Sequence, residues 1–416
     1  MASALVRLWK EPEIRNGLLF ILLAVTIFRV VAHIPVPGID ASSLAALLNQ
    51  SQLLGLLNVF AGGTLSNFSV VALGVAPYIT ASIIFQLLGM IFPSVEEMQK
   101  EEQGRRTLNR WTRVSTVPLA ALQGYSLMVL LGQQGIFGGA AFTPWQWTVA
   151  IATMTAGTIF LMWLGEMISE RKMGNGISIL IFAGIVASFP GFFANAAATY
   201  TSSQLIDMLL FVACTLLTIL GVVFVNEAQR NIPVQYARGG SGKVSSVLPL
   251  RVNLGGMIPI LFAMSLLVTP GLLAQFFVNA STAWVSTAAQ WVIAFTSNTF
   301  AYGITQFLLV ILFTFFYGSI VFRPEQVSEN LQKQGGFIPG VRPGEHTTKY
   351  LQWVMNRVLL VGAVFLAVLA VMPSIVQAVT GNPLLAVGGA SVLIVVSVVI
   401  DVVKQVEAQL SMRSYE

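Results

Sequence analysis

The sequence predicts an all-α polytopic membrane protein whose ten spans form two five-helix halves of inverted orientation. Three observations predict it. Of the 416 residues, 56% are hydrophobic and 9% charged, with a mean hydropathy of +0.79, against roughly 25% charged residues in soluble domains. Apolar runs long enough to cross about 30 Å of hydrocarbon recur along the chain with short gaps between them. The gaps alternate between segments rich in lysine and arginine and segments with neither, the pattern that the positive-inside rule produces.

In order, the spans are expected at about 17–34, 70–92, 114–131, 147–168, 177–193, 205–225, 254–273, 301–322, 358–372 and 385–402. The first follows Arg7, Lys10 and Arg15, the charge layout of a signal peptide, but Arg29, His33 and PVPGID stand where a small-residue cleavage site would be. It is therefore read as a span. Segments 93–113, 169–176, 226–253 and 323–357 hold basic residues from Lys100 to Arg357, whereas 35–69, 132–146, 194–204, 274–300 and 373–384 hold none. Both termini are then expected in the cytoplasm, with every lysine and arginine except Arg29 on or near that side. A cut in the uncharged segment 194–204 divides the chain into 1–198 and 199–416, with five spans each. An inverted plan of that kind is frequent in proteins that move material across bilayers, although no residue-level repeat is legible here.

Catalytic chemistry is hard to find. Hydrolysis at membrane depth needs a base, a nucleophile or a metal-bound water, and the sequence has no H-E-x-x-H and no G-x-S-x-G. Its two histidines, His33 and His346, fall on opposite sides of the expected topology. Glu166, Asp207 and Asp401 sit near span ends, which leaves Arg29 as the one deep ionisable group and no chain of carboxylates for a proton relay. Arg29 itself is read first as a snorkelling or structural residue. The single cysteine, Cys214, lies in an apolar run and is read as a packed side chain. The run RKMGNGIS (171–178) is read as a tight turn in preference to a phosphate cradle. No enzyme, cofactor or metal is expected.

Two segments on the basic side are long for so compact a chain: 226–253 and 323–357. Each interleaves basic residues with glycine, proline and an aromatic, a composition suited to docking an acidic partner or simply to orienting the spans.

Six stretches together carry a resemblance: IPVPGID (34–40), NVFAGGTLSNFSVVALGVAPYITASIIFQLL (58–88), EEQGRR (101–106), FLMWLGEMISERKMGNGISILIFAGIV (160–186), LPLRVNLGGMIPILFA (248–263) and FIPGVRPGEHTTKYL (337–351). In these the chain closely resembles the bacterial SecY family over nearly its whole length. The resemblance implies the central channel of the Sec translocon in the bacterial cytoplasmic membrane, passing unfolded preproteins across and releasing hydrophobic helices sideways into lipid. It implies an hourglass pore between the halves, with SecE, SecG, the ATPase SecA, the translating ribosome with its RNA, signal peptides, preproteins and membrane lipids as partners.

By local motif the resemblance assigns a pore ring to Val75, Ile79, Ile181, Leu261 and Ile394; Val and Leu stand where the family often has Ile. Val75 and Ile79, four apart, share one helix face, and Pro77 between them is expected to relax the hydrogen-bond ladder. Such a ring of bulky apolar side chains would exclude water and ions and yield to a passing chain. The plug carries over to Leu57, Asn58, Val59, Phe60, Ala61, Gly62, Gly63, Thr64, Leu65, Ser66 and Asn67. Gly62 and Gly63, each about 1 kcal/mol worse than alanine in a helix, suit a movable element. A lateral gate is expected where spans 2 and 3 meet spans 7 and 8, with Thr80, Gln86 and Asn253 as polar latch candidates. Arg342, in GVRPGE, is the first candidate for motor or ribosome docking, followed by Arg230, Arg238, Lys243 and Arg251. On the residues alone, a small-solute secondary transporter and a poreless insertase scaffold stay open beside the channel.

Overall fold

The computed structural model describes residues 11–36, 58, 61–133, 143–198, 205–236, 244–278, 280, 282–380 and 383–413. All ten expected spans fall on helices. These are α1 (Pro12–Val31), α2 (Ala76–Ile91), α4 (Glu102–Gln133), α5 (Pro144–Glu170), α6 (Gly176–Ala198), α7 (Leu205–Glu227), α8 (Ile258–Phe277), α10 (Thr299–Val321), α12 (Glu345–Thr380) and α13 (Pro383–Arg413). Three further helices, α3 (Pro93–Lys100), α9 (Ala283–Ser297) and α11 (Pro324–Lys333), lie in expected connections. Among the described residues six helices are long and apolar enough to cross a membrane unaided, and up to seven if the bent pair α2–α3 is one span.

Local chemistry sets the boundaries. In α1, Pro12 opens the first turn with Glu13 behind it, and Arg29 closes the last, so both charges complement the helix dipole. Its buried Gly17, Ala24 and Phe28 face the protein while Leu19, Leu22, Leu23, Ile27 and Val30 point out. Thr143 and Gln146 cap α5 reciprocally, and Asn175 caps α6 by accepting from the amides of Ile177 and Ser178. That Asn belongs to the GNG run, which forms a tight turn: a side chain at Gly176 would overlap the Gly165 carbonyl.

Span 2 differs from its expected form. The helix begins at Ala76, six residues late, because residues 70–75 form turns with Gly74 at φ +57°. Pro77 therefore sits in the first turn, where no intrahelical bond is lost, and it starts the helix without loosening its ladder. At the other end Phe92 is extended before Pro93, and the chain swings through 117° into the polar α3.

Segments 226–253 and 323–357, expected as two separate loops, build one small domain. β1 (Gln229–Tyr236) pairs antiparallel with β2 (Val244–Arg251) from Gln229↔Arg251 to Tyr236↔Val244, and β3 (Gly336–Phe337) adds to the other edge of β1 through Gln235↔Phe337. Ile232 and Val234 alternate with exposed neighbours and bury one face against Leu250, Leu331, Ile338, Leu351 and Val354. That face packs on α11 and the first turns of α12.

Within the bundle the helices form two halves, α1–α6 and α7–α13, which meet along two seams. On one, α8 packs against α2 and α4; on the other, α13 packs against α6. A single buried core runs across both.

Ile232→Ala should remove the keystone of the small domain at a cost of about 2–5 kcal/mol. Hydrogen exchange is expected to lose protection over 229–251 and 336–337 while α5 and α10 keep theirs; uniform loss throughout would mean that the domain has no core of its own.

Candidate functional site

Packed on α1, α5 and α6 lies a non-helical segment that brings its own hydrogen-bond partners. Thr64 is fully buried, and its hydroxyl reaches the carbonyls of Ala61 and Val71, each at 2.8 Å. Asn58 accepts from the Ser66 amide through its side chain (3.2 Å) and from the Gly63 amide through its carbonyl (2.7 Å). The hydroxyls of Ser66 and Ser69 bond the carbonyls of Gly63 and Thr64. A short 3-10 turn, Leu65–Asn67, follows. Two strand-like bonds, Val36 N–H to Phe68 carbonyl and Val70 N–H to Ile34 carbonyl (both 2.9 Å), tie its far end to the chain leaving α1. Polar residues here satisfy backbone that would otherwise be stranded away from water.

Glycines let this segment sink in. Gly62 and Gly63 hold φ of +69° and +76°, a region that costs other residues strain, and the chain there lies on α6 so closely that a side chain at Gly184 would overlap the Gly62 backbone. In the same way Gly157 of α5 admits the backbone of Val70 and Val71. Ala61, Leu65 and Phe68 are consequently buried in the core. Of the expected plug residues, Leu57, Val59 and Phe60 lie outside the described residues; Asn58 and 61–67 occupy this central position.

Val75, Ile79, Ile181, Leu261 and Ile394 come from four elements: the start of α2, α6, α8 and α13. None is more than 5% exposed, and all join one apolar cluster that includes Ala61 and Leu65. Val75 caps α2 and accepts from the Ile79 amide at 3.1 Å, so these two side chains are held by the helix start itself. These five aliphatic residues, from four stretches of sequence, thus share one buried apolar core with residues of the non-helical segment.

The seam of α8 with α2 and α4 is polar at its middle and aromatic at one end. Thr80 of α2 meets Ser265 (3.0 Å) and Thr269 (3.3 Å) of α8, and Gln123 of α4 donates to the same Thr80 hydroxyl at 3.4 Å. Toward the end opposite the sheet, Tyr125 of α4 lies between Trp147 of α5 (5.3 Å) and Phe276 of α8 (4.9 Å), within the range of favourable ring pairs. Beside this seam, between α2 and α4 on one side and the end of α10 with α11 on the other, lies a cavity of about 610 Å³ lined by Phe85, Gln86, Arg105, Asn109, Tyr317 and Arg323.

Gln86 donates to Ser82 on its own helix and lines the cavity where α2 and α4 face the end of α10, within the expected meeting of spans 2 and 3 with spans 7 and 8. The other residue expected there lies elsewhere. Asn253 donates to Asn226 at the end of α7 (2.6 Å), beside a Lys404–Glu227 ion pair of 2.9 Å, inside the second half. Ser265, Thr269, Gln123 and the aromatic trio were not singled out by sequence. Ser265 and Thr269 stand four apart, a signal for one helix face, but hydroxyls at that spacing equally bond their own helix.

Arg342 is exposed in a turn framed by Gly340 and Gly344 at φ +82° and +92°, its carbonyl held by the Thr347 hydroxyl. The nearest acid, Glu345, is hydrogen-bonded by Lys349, which holds its carboxyl below the ordinary range; among the described residues Arg342 has no ion-pair partner. Arg230 and Arg251 are exposed on the hairpin, and Arg238 and Lys243 lie outside the described residues.

Comparison with known proteins is consistent throughout. The SecY family model matches residues 69–403. The chain is 40% identical to the protein translocase subunit SecY of Streptomyces coelicolor, over 100% of this chain and 99% of that one, and 40% identical to that of Thermotoga maritima, over 100% and 97%. Its fold matches a structure described as that of a protein conducting channel (TM-score 0.65, 19% identity, 94% of this chain and 91% of that one) and the Sec61 chain of a canine ribosome–channel complex (TM-score 0.63, 19% identity, 94% and 91%).

Thr64→Val should strand two buried carbonyls at a cost of about 1–3 kcal/mol, or roughly 5- to 150-fold greater exposure of the segment. Maleimide labelling of a Ser66→Cys probe in a Cys214→Ala background reads this directly. A rate unchanged from the Thr64 parent would mean that these bonds do not hold the segment.

Proposed function

The chain belongs to the SecY family, and on that premise we propose that its central segment and aliphatic ring are the closed gate of a channel for polypeptide. The protein is the protein-conducting channel of the Sec translocon, a multi-pass membrane protein whose work is mechanical instead of catalytic. The observation that supports the gate reading is the joint burial of the segment's Ala61 and Leu65 with all five ring residues in one apolar core. A constriction lined only by aliphatic side chains expels water and blocks ions, yet its rotamers can give way around an extended chain.

Unfolded preproteins would displace residues 57–67 and pass through Val75, Ile79, Ile181, Leu261 and Ile394. A hydrophobic segment would leave sideways by parting α8 from α2 and α4. The bonds to be broken there are few: Thr80 to Ser265 and Thr269, and the Tyr125–Phe276 contact, while the Gln123–Thr80 bond stays within the first half. Interhelical hydrogen bonds in membranes average only about 0.6 kcal/mol, which suits a seam that must open and reseal. Thr80 is the latch on this reading; Gln86 faces the cavity from which a segment would enter, and Asn253 stabilises the frame of the second half.

The halves, 1–198 and 199–416, would move against each other about the plug. On the small domain, Arg342, Arg230 and Arg251, with Arg238 and Lys243, would dock the SecA motor or the ribosome and its RNA, and SecE and SecG would complete the complex. On this reading the sheet and both termini would lie in the cytoplasm, and the protein in the cytoplasmic membrane.

Replacing Ile79 and Ile181 together by glycine should raise ion leakage through proteoliposomes severalfold over the parent; leakage equal to the parent would favour a poreless scaffold. Arg342→Glu is expected to weaken binding of motor or ribosome and to reduce its salt dependence, while the ion seal of the resting protein stays intact.

A further inference from the structure

Helix α9 presents an aromatic face for which the channel has no use. It carries no charged residue, and Val285, Ala289, Val292, Ile293 and Thr296 turn toward the protein. Trp284, Trp291 and Phe295 fall within an arc of about 40° on the opposite side at 3.6 residues per turn, and they are 74%, 75% and 43% exposed. The helix is pinned at both ends: Ser286 donates to the Val278 carbonyl just past α8 (2.7 Å), and Thr296 packs on Gly271.

The level of this helix in the bundle can be read from other residues. On α5 the exposed Trp145 and Trp163 are separated by about 27 Å of helix rise, close to the roughly 30 Å thickness of bilayer hydrocarbon. Tryptophans gather at both membrane–water interfaces, so Trp145 marks one of them. Two residues on, Trp147 connects through Tyr125 to Phe276 at the end of α8, and α9 begins six residues after Phe277. The elements that flank α9 in the chain also carry exposed apolar side chains: Phe276 and Phe277 at the end of α8, and Phe300, Ile304, Leu308 and Leu312 at helical spacing on α10.

We infer that α9 is an interfacial anchor whose aromatic face lies among the lipid headgroups on the side opposite the sheet. Its occupant is the bilayer itself. With no lysine or arginine on the helix, association depends on ring burial and not on lipid charge, and it holds the end of α8 at a set depth while the middle of that helix forms the seam. The inference rests on the bundle spanning a membrane; it does not depend on what the channel conducts.

Nitroxide probes at Trp284→Cys and Trp291→Cys in the Cys214→Ala background, reconstituted with phosphatidylethanolamine and phosphatidylglycerol, test it by power saturation. Leu312→Cys serves as the lipid control and Val247→Cys, exposed on β2, as the aqueous one. Both α9 probes should collide with oxygen more often than with an aqueous nickel chelate, by a margin smaller than at 312. Nickel contact as high as at 247 would overturn the inference, as would low contact with both reagents, which would reveal a protein chain covering the face. Failure of the 312 probe to read lipid would instead overturn the membrane reading. In a second measurement, brominated lipids should quench less of the total fluorescence in Trp284→Phe/Trp291→Phe than in the parent, and equal fractional quenching would also count against it.

Discussion

A peptide group inside hydrocarbon has no water to turn to, so any chain that leaves the helix there must supply every donor and acceptor from within. The segment from Asn58 to Gly74 meets this demand with side chains one to eight residues away: Asn58, Thr64, Ser66 and Ser69 each bond backbone in their own neighbourhood. Almost nothing in that network reaches out to the helices around it. What binds the segment to its surroundings is close packing against Gly184 and Gly157 and the two bonds to residues 34 and 36. Displacing the segment would have to undo that packing and those two bonds.

The two halves are joined on the same economy. Their shared core is apolar, and the polar and ring contacts that cross from α2 and α4 to α8 are two hydroxyl pairs and a pair of rings. By contrast, charged contacts such as Arg113 with Glu166 at 2.7 Å, and Lys404 with Glu227 and the Asn226 carbonyl, lie within a half. Strong, charge-assisted bonds hold each half in shape, while weak neutral ones run between them.

How much of this is legible in the sequence depends on which force decides. Spans are legible because length and the lysine–arginine alternation are properties of the chain alone, and each falls on a helix, although α2 starts late and α4, α12 and α13 run more than ten residues past their spans at one end. Residues 70–75 form turns because Gly157 leaves room for backbone there, and that partner is far off in sequence. The small domain escapes notice for a related reason: β1 has the alternation of Ile232 and Val234, but its core is completed by Leu331 and Ile338 a hundred residues on. Helix α9 has no lysine, arginine or 18-residue run to announce it. In the candidate site, Thr80 stands at the seam where span order suggests, whereas Gln86 and Asn253 find partners on or near their own elements, Ser82 and Asn226. Polarity at depth predicts that a side chain will find a bond, not which helix offers it.

The three-stranded sheet has one more effect, on the path of a mechanical load. Because β1, β2 and β3 share a core with α11 and the start of α12, a push at the Arg342 turn is not absorbed by a slack tether. It is carried by a stiff bracket into α12 directly and into α7 through the strand that begins at Gln229. Both shafts belong to the second half, and neither touches the first by more than slight contact. Thrust delivered there would act on the second half as one piece, and would reach the first only through the two lines where α8 and α13 rest on α2, α4 and α6.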